Sequence, residues 1–269
     1  MMIKKCFAIV IAAVMMAALL SGCAADNSNT ETEQTHDELL YLEAEGQTYD
    51  IGTDLSFEPF IISEDGELSG IDIELMQAIA DEMGFSVEWH PLGFALAFSA
   101  MDHEMVDAVM AGASITEERE RKYDFSNGYY ECSIAVAVSP DSGYESLEDL
   151  RGSTVAVKIG TTGAAYAESI AREYGFEVAY YDNSDQLYDA LANTDAAACF
   201  EDYPVIRYQI LHEGLDMTII AESDESFTYS YGLAVRDHDQ AVLISAFNEG
   251  LRRIQENGTY DEIVSSYLR

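Results

Sequence analysis

Ala111-Gly-Ala-Ser-Ile-Thr-Glu-Glu-Arg-Glu-Arg-Lys-Tyr-Asp-Phe-Ser-Asn-Gly-Tyr-Tyr130 is the stretch from which the rest of the chain can be read. The protein carries 13 Lys+Arg against 50 Asp+Glu, so a cation at a defined place is informative. Thr116 has the character of a helix N-cap, and Arg119 falls three residues beyond it, in the first turn. The free N–H groups of that turn, the hydroxyls of Ser114 and Thr116, and the guanidinium of Arg119 converge on one point. Such a set of donors suits a carboxylate, which a guanidinium can grip with two hydrogen bonds. An ordinary capped surface helix with solvated charges has the same spacing, so both readings stand on spacing alone.

Outward from this stretch, short β-rich runs alternate with amphipathic helices. Strands are expected at 49–53, 85–89 and 106–110, with helices at 71–83 and around 97–102; Ile73, Met76, Ala80 and Met83 fall on one face of the first helix. A second series begins after Tyr130, with strands at 134–138, 154–157, 177–181, 195–200 and 217–220 and helices at 164–174, 186–192 and 205–211. A last strand at 231–235 precedes helices at 240–256 and 260–267. The alternation implies an α/β fold with largely parallel sheets, as two units in series.

The ends and the composition narrow the class. Lys4 and Lys5 precede an apolar run from Phe7 to Leu20 that is too short and too poorly flanked to span a bilayer, as in a secretory signal. It closes on Leu20-Ser-Gly-Cys23, which resembles a bacterial lipobox and implies cleavage before Cys23 and lipidation of its thiol. The polar residues after it, through about position 40, read as a flexible tether. Loss of Lys4 and Lys5 with residues 1–22 takes the formal charge from −37 to about −39. That balance excludes nucleic-acid binding, which needs basic patches, and disfavours lying flat on anionic lipid. Cys132 and Cys199 remain in the globular part with no disulfide framework pattern; an exported protein could join them, and a pair of buried free thiols is the other and plainer reading. The five histidines (His36, His90, His103, His212, His238) show no metal-ligand spacing, and neither a metal nor another cofactor is expected.

The quoted stretch contains Ala-Gly-x-Ser-Ile-Thr-x-Glu-Arg followed by Asp-Phe-Ser-x-x-Tyr-Tyr, which resembles the signature of family 3 extracellular solute-binding proteins. These are the amino-acid receptors of ABC importers, the glutamine-binding and histidine or lysine-arginine-ornithine-binding proteins among them. The resemblance extends to Ile51-Gly-Thr-Asp-Leu-Ser-Phe-Glu-Pro-Phe60, Gly70-Ile-Asp-Ile-Glu-Leu75, Val155-Ala-Val-Lys-Ile-Gly-Thr-Thr-Gly163, Phe200-Glu-Asp202 and Glu256-Asn-Gly-Thr-Tyr-Asp-Glu-Ile263. It covers nearly all of residues 46–268. It implies a two-lobed periplasmic-binding-protein fold of type II, each lobe a mostly parallel sheet flanked by helices. Lobe 1 would combine 46–128 with 232–269 and lobe 2 would be 134–226, with hinges at 129–133 and 227–231. Residues 1–22 would be the signal and 23–45 the lipidated tether.

The resemblance also implies a site between the lobes. Arg119 would take a ligand carboxylate, aided by Ser114 and the backbone of Gly112, with a hydroxyl and an amide from Thr161 and Thr162. Asp202 would accept from the ammonium, as could the carbonyl of Gly112; a helix N-cap is the other reading of Asp202. Phe57 and Phe94 would sandwich the ligand, excluding water and facing the ammonium with ring faces. Asp54 would face the ligand side chain or hold a loop. Lys158 matches a lysine of glutamine-type receptors that donates to the side-chain carbonyl, which favours a glutamine-like ligand over a basic one. Glu201 stands where that type has histidine, and would neutralise Lys158 or select a cationic side chain. The implied partners are a free amino acid and an ABC permease with its ATPase, met by a monomer held to the membrane through lipid alone. Two other classes remain: a dehydratase of the cyclohexadienyl or arogenate type on the same scaffold, and a sensor domain. Against an enzyme, no nucleophile–histidine pairing or carboxylate pair stands out.

Overall fold

The computed structural model describes residues 40–236 and 240–268. The signal at 1–22, Cys23 and the tether as far as residue 39 lie outside the described residues. Residues 41–269 make one compact unit. Its order begins before the boundary expected at residue 46. A 3₁₀ turn over Leu40–Ala44 buries Ala44 in the core, and the N–H of Gln47 donates to the Ala44 carbonyl. Among the described residues no helix is long and apolar enough to cross a membrane.

The first half of the chain supplies β1 (Thr48–Thr53), a hairpin of β2 (Ile62–Glu64) and β3 (Glu67–Ser69), β4 (Ser86–Pro91), β5 (Ala108–Val109) and β6 (Tyr123–Phe125). After β7 (Tyr130–Cys132) come β8 (Ile134–Val138), β9 (Thr154–Lys158), β10 (Glu177–Tyr181), β11 (Ala198–Asp202) and β12 (Thr218–Glu222). The chain returns through β13 (Tyr229–Tyr231) and ends its strands with β14 (Ala234–Arg236). Two five-stranded sheets result, ordered β4-β1-β5-β14-β6 and β10-β9-β11-β8-β12. In each, one strand runs against both neighbours: β14 against β5 and β6, and β8 against β11 and β12. That reversed strand is the one entered directly after a crossing between lobes. The two crossings, β7 and β13, pair antiparallel with each other, Tyr231 opposite Tyr130. The protein is therefore a two-lobed α/β fold.

The expected single strand at 231–235 is broken at Gly232-Leu233. Its first part pairs in the crossing ladder and its last part in the lobe 1 sheet, so the chain must change direction between them. Gly232 makes this possible because a Cβ there would lie 2.9 Å from Ile115 Cδ1.

The helices are α1 (Ile71–Met83), α2 (Phe94–Asp102), the single turn α3 (Glu117–Glu120), α4 (Thr162–Tyr174), α5 (Ser184–Ala192), α6 (Tyr203–Tyr208), α7 (Ala241–Glu256) and α8 (Thr259–Tyr267). The face of α1 read from the sequence is buried, and Leu75 and Ile79 are buried beside it because α7 covers the helix. Gly250 of α7 allows this close approach, since a Cβ there would meet Ile79 Cγ2 at 2.8 Å. In lobe 2 the period of two along Ile134-Ala-Val-Ala-Val138 divides the core. Ile134, Val136 and Val138 pack with Val155, Val157, Phe200 and α4 residues on one face. Ala135 and Ala137 pack with Ala156, Cys199 and α5 residues on the other, where the small side chains let helices approach. Cys132 and Cys199 are buried and free, and burial pushes both thiols up from their ordinary pKa.

Candidate functional site

Ligands of open α/β sheets sit beyond the carboxyl ends of the strands, and every candidate residue lies there. Asp54 follows β1, Ala111 to Arg119 follow β5, Lys158 ends β9 and Thr161 and Thr162 follow it into α4, and Glu201-Asp202 end β11. The two sets of strand ends face each other. Between them Phe57, Phe94, Gly112, Ser114, Arg119, Lys158, Thr161, Thr162 and Asp202, with Ala111 and Glu201, line one small, tightly closed cavity of about 10 Å³.

On the lobe 1 wall, Thr116 caps α3 by accepting from the N–H of Arg119 at 3.2 Å. This fixes the first turn and aims the guanidinium inward. Nη1 donates to the Ser114 carbonyl at 2.7 Å, and Nη2 donates to the Gly160 carbonyl of lobe 2 at 3.1 Å. The guanidinium carbon stands 5.2 Å from the centre of the Phe94 ring. Burial lowers the Arg119 pKa from its ordinary value, opposed by the nearby Asp202. Phe98 also faces Arg119, at 5.7 Å, and packs against the lobe 1 core.

Gly112 requires a correction. Its N–H donates to Asp72 Oδ2 at 2.8 Å, so it is committed and has nothing to offer a carboxylate. The carbonyl is the group it retains for an ammonium. Asp72, buried at the start of α1, also accepts from the Tyr129 hydroxyl at 2.7 Å. Its pKa rises to about 7, chiefly through burial, with both donors opposing. Gly112 takes φ +57°, and a Cβ on it would lie 2.4 Å from Phe57 Cε1. Glycine therefore lets the Phe57 ring close over the backbone.

On the lobe 2 wall, the Thr161 hydroxyl caps α4, accepting from the Ala164 N–H at 3.2 Å while donating to the Lys158 carbonyl. Its hydroxyl is thereby spent on the helix, and Thr162 supplies the hydroxyl that faces lobe 1, 3.3 Å from Ser114 Oγ. The first-turn N–H groups of α4 have no acceptor within the helix and stand available to an anion. Asp202 occupies the N-cap position of α6 but makes no side-chain cap bond. Its carboxylate turns instead to the hydroxyl of Tyr231, which donates to it at 2.5 Å. Burial, and then the neighbouring Glu201, raise the Asp202 pKa to about 7.

Lys158 crosses the cleft to ion-pair with Asp54, whose other oxygen accepts from the N–H groups of Leu55 and Phe94. Asp54 thus both holds a loop and faces the opposite lobe. The Lys158 ammonium lies 4.8 Å from the Phe57 ring centre and 3.5 Å from Ser184 Oγ, which donates to Glu201 at 2.9 Å. Burial raises the Glu201 pKa, with Lys158 opposing. The walls therefore hold two cations, Arg119 and Lys158, against three acids, Asp54, Glu201 and Asp202.

Asp72, Tyr231 and Ser184 were absent from the residues expected at the site, and none touches its neighbour through a sequence motif. Tyr231 reaches Asp202 from 29 positions away and Asp72 reaches Gly112 from 40. Glu201, expected near Lys158 from the resemblance, lines the cavity, as does Ala111, a small residue beside Gly112.

The sequence profile of the bacterial extracellular solute-binding proteins, family 3, matches residues 49–269. Over 268 residues the chain is 27% identical to the arginine-binding extracellular protein ArtP of Bacillus subtilis (strain 168), with 98% of each protein covered. It is 26% identical over 275 residues to the ABC transporter glutamine-binding protein GlnH of the same organism, covering 99% of this chain and 98% of that protein. Among solved structures, an ancestral arginine-binding protein bound to arginine is similar with a TM-score of 0.74 at 33% identity, covering 82% of this chain and 98% of that one.

Proposed function

We propose that this chain, which belongs to the bacterial extracellular solute-binding proteins, family 3, captures a free polar α-amino acid between its lobes and delivers it to an ABC importer. The observation that carries this reading is that Arg119 and Asp202, from opposite lobes, line one small cavity. One is a cation and the other a carboxyl group, the complements of the two ends of a zwitterion. Arg119, the Ser114 and Thr162 hydroxyls and the first turn of α4 hold the carboxylate. Asp202 and the Gly112 carbonyl accept from the ammonium, Asp202 being aligned by Tyr231. Phe57 and Phe94 exclude water around both. Because each lobe supplies part of the contacts, the ligand binds the closed state more tightly and shifts the population toward it.

The side-chain end of the cavity offers a donor in Lys158 and acceptors in Asp54 and Glu201, a combination that suits the amide of glutamine. A second reading rests on the surplus acid: a cationic side chain would balance the charge that Glu201 adds. A relative named for arginine and one named for glutamine fit these two readings. The chain would act outside the cell membrane as a monomer, tethered by lipid on Cys23, with the permease and ATPase as its partners. It would perform no chemistry and use no cofactor; the alternative is a dehydratase of the cyclohexadienyl or arogenate type.

A thermal-shift screen of the twenty amino acids tests the proposal, because a ligand stabilises the fold by RT ln(1 + [L]/Kd). Glutamine is expected to give the largest shift. A largest shift with arginine or lysine selects the second reading. No shift with any amino acid overturns capture, and product release from prephenate or arogenate replaces it with catalysis. Mass spectrometry of the N-terminal peptide from membrane-bound protein tests the lipid on Cys23.

A further inference from the structure

Lobe 1 carries a second cluster of side chains away from the cleft. Strands β1 and β4 run parallel in a register that sets Asp50 opposite Glu88 and Gly52 opposite His90. Because side chains alternate along a strand, Glu88 and His90 share one face of β4, the face on which Asp50 stands in β1. One ligand atom from each of Asp50, Glu88 and His90 lies within 4.8 Å of the other two. The histidines show no metal spacing in sequence; the sheet register brings one of them to two carboxylates.

We propose that Asp50, Glu88 and His90 bind a divalent cation of the Zn2+ or Ni2+ kind, clipping the edge strand β4 to β1. The donor set is one imidazole nitrogen and two carboxylates, which suits borderline cations better than Mg2+ or Ca2+. With His90 neutral, the two carboxylates balance the charge of a divalent ion. Among the described residues no Lys or Arg forms an ion pair with Asp50 or Glu88, and the Glu88 carboxylate has no partner. The negative charge there is left for an ion to neutralise. His90 Nε2 already stands 2.6 Å from Asp50 Oδ1, so a cation would replace the proton these two groups share. The strands preset the arrangement. The Asp50 N–H is held by Asp107 Oδ2 at 2.8 Å, and Gly52 puts no side chain beside the imidazole. Glu88 is exposed and the other two are half-buried, leaving the remaining coordination positions to water.

The test is calorimetric titration of chelator-treated mature protein with Zn2+ alone, beside thermal melts with and without the ion. One Zn2+ per chain is expected. His90→Ala and Glu88→Gln should each weaken it roughly tenfold or more, and each should abolish the Zn2+-dependent rise in Tm while leaving the metal-free Tm within a degree or two. Absence of Zn2+ binding by the unaltered protein overturns the proposal. So does binding of unchanged affinity in His90→Ala, which would locate the ion at another histidine, and so does equal affinity for Mg2+, which would mean carboxylates acting without the imidazole.

Discussion

Lys158 and Asp54 form an ion pair across the cleft, one from the end of β9 in lobe 2 and the other from the loop after β1 in lobe 1, with 2% and 1% of their side chains exposed. Taking charges out of water is costly unless each finds a partner, and these two become partners only when the lobes meet. The pair therefore belongs to the closed state.

Asp54→Asn should accordingly weaken amino-acid affinity, by about 2 kcal/mol or some thirtyfold, because Lys158 would have to be buried with one counter-charge fewer. The ligand-free Tm should change little, since an open cleft lets the ammonium reach water. Calorimetric titration and melts of the same samples check both halves; a large fall in ligand-free Tm would mean that the pair stabilises the lobes themselves.

Arg119→Ala should abolish the ligand-induced thermal shift for every amino acid, because the carboxylate is common to all of them. Arg119→Lys should restore little, since an ammonium cannot span the Ser114 and Gly160 carbonyls while presenting a fork to the ligand. An unchanged shift in Arg119→Ala would remove the guanidinium from the site.

Asp72 and Asp202 each have a folded-state pKa raised from 3.8 to about 7. Between about pH 4 and pH 7 the folded protein keeps protons that the unfolded chain has released, so stability should fall as pH rises through that window and level off above it. The combined loss should be of the order of a few kcal/mol, read as the denaturant midpoint at pH 5 against pH 8 without ligand, and Asp72→Asn should remove roughly half of it. Ligand affinity should run the other way, rising toward pH 8 as Asp202 ionises to accept from the ammonium.

Gly112→Ala combines a left-handed backbone at φ +57° with a Cβ 2.4 Å from the Phe57 ring. The conformation alone costs about 1–2 kcal/mol, and Phe57 must also move. Gly143→Ala is the control, with φ +75° and no atom within 4 Å of the new Cβ. Only the Gly112 variant should weaken ligand binding as well as lower Tm.

What the sequence made legible was local. Arg119 could be singled out because cations are scarce and because the cap at Thr116 fixes its turn, and α1 and β8 could be bounded because apolar periodicity spans them. The rest depended on distance along the chain. The three-residue strands β6, β7 and β13 are too short for any period to register. Tyr231 and Asp72 look like core and helix-start residues until the fold carries them to Asp202 and Gly112. The Gly112 N–H was assigned to a ligand for the same reason: nothing near it in sequence announces that Asp72 has already taken it.

The position of β14 sets an order of assembly. It lies between β5 and β6, so half of the molecule waits for a strand near the far end of the polypeptide, whereas the five strands of the other half lie within residues 134–222. A chain emerging from its amino end can finish the inserted half while β1, β4 and β5 still lack their antiparallel flank. The wall bearing Glu201 and Asp202 would then mature first, and the wall bearing Arg119 would be the last to set.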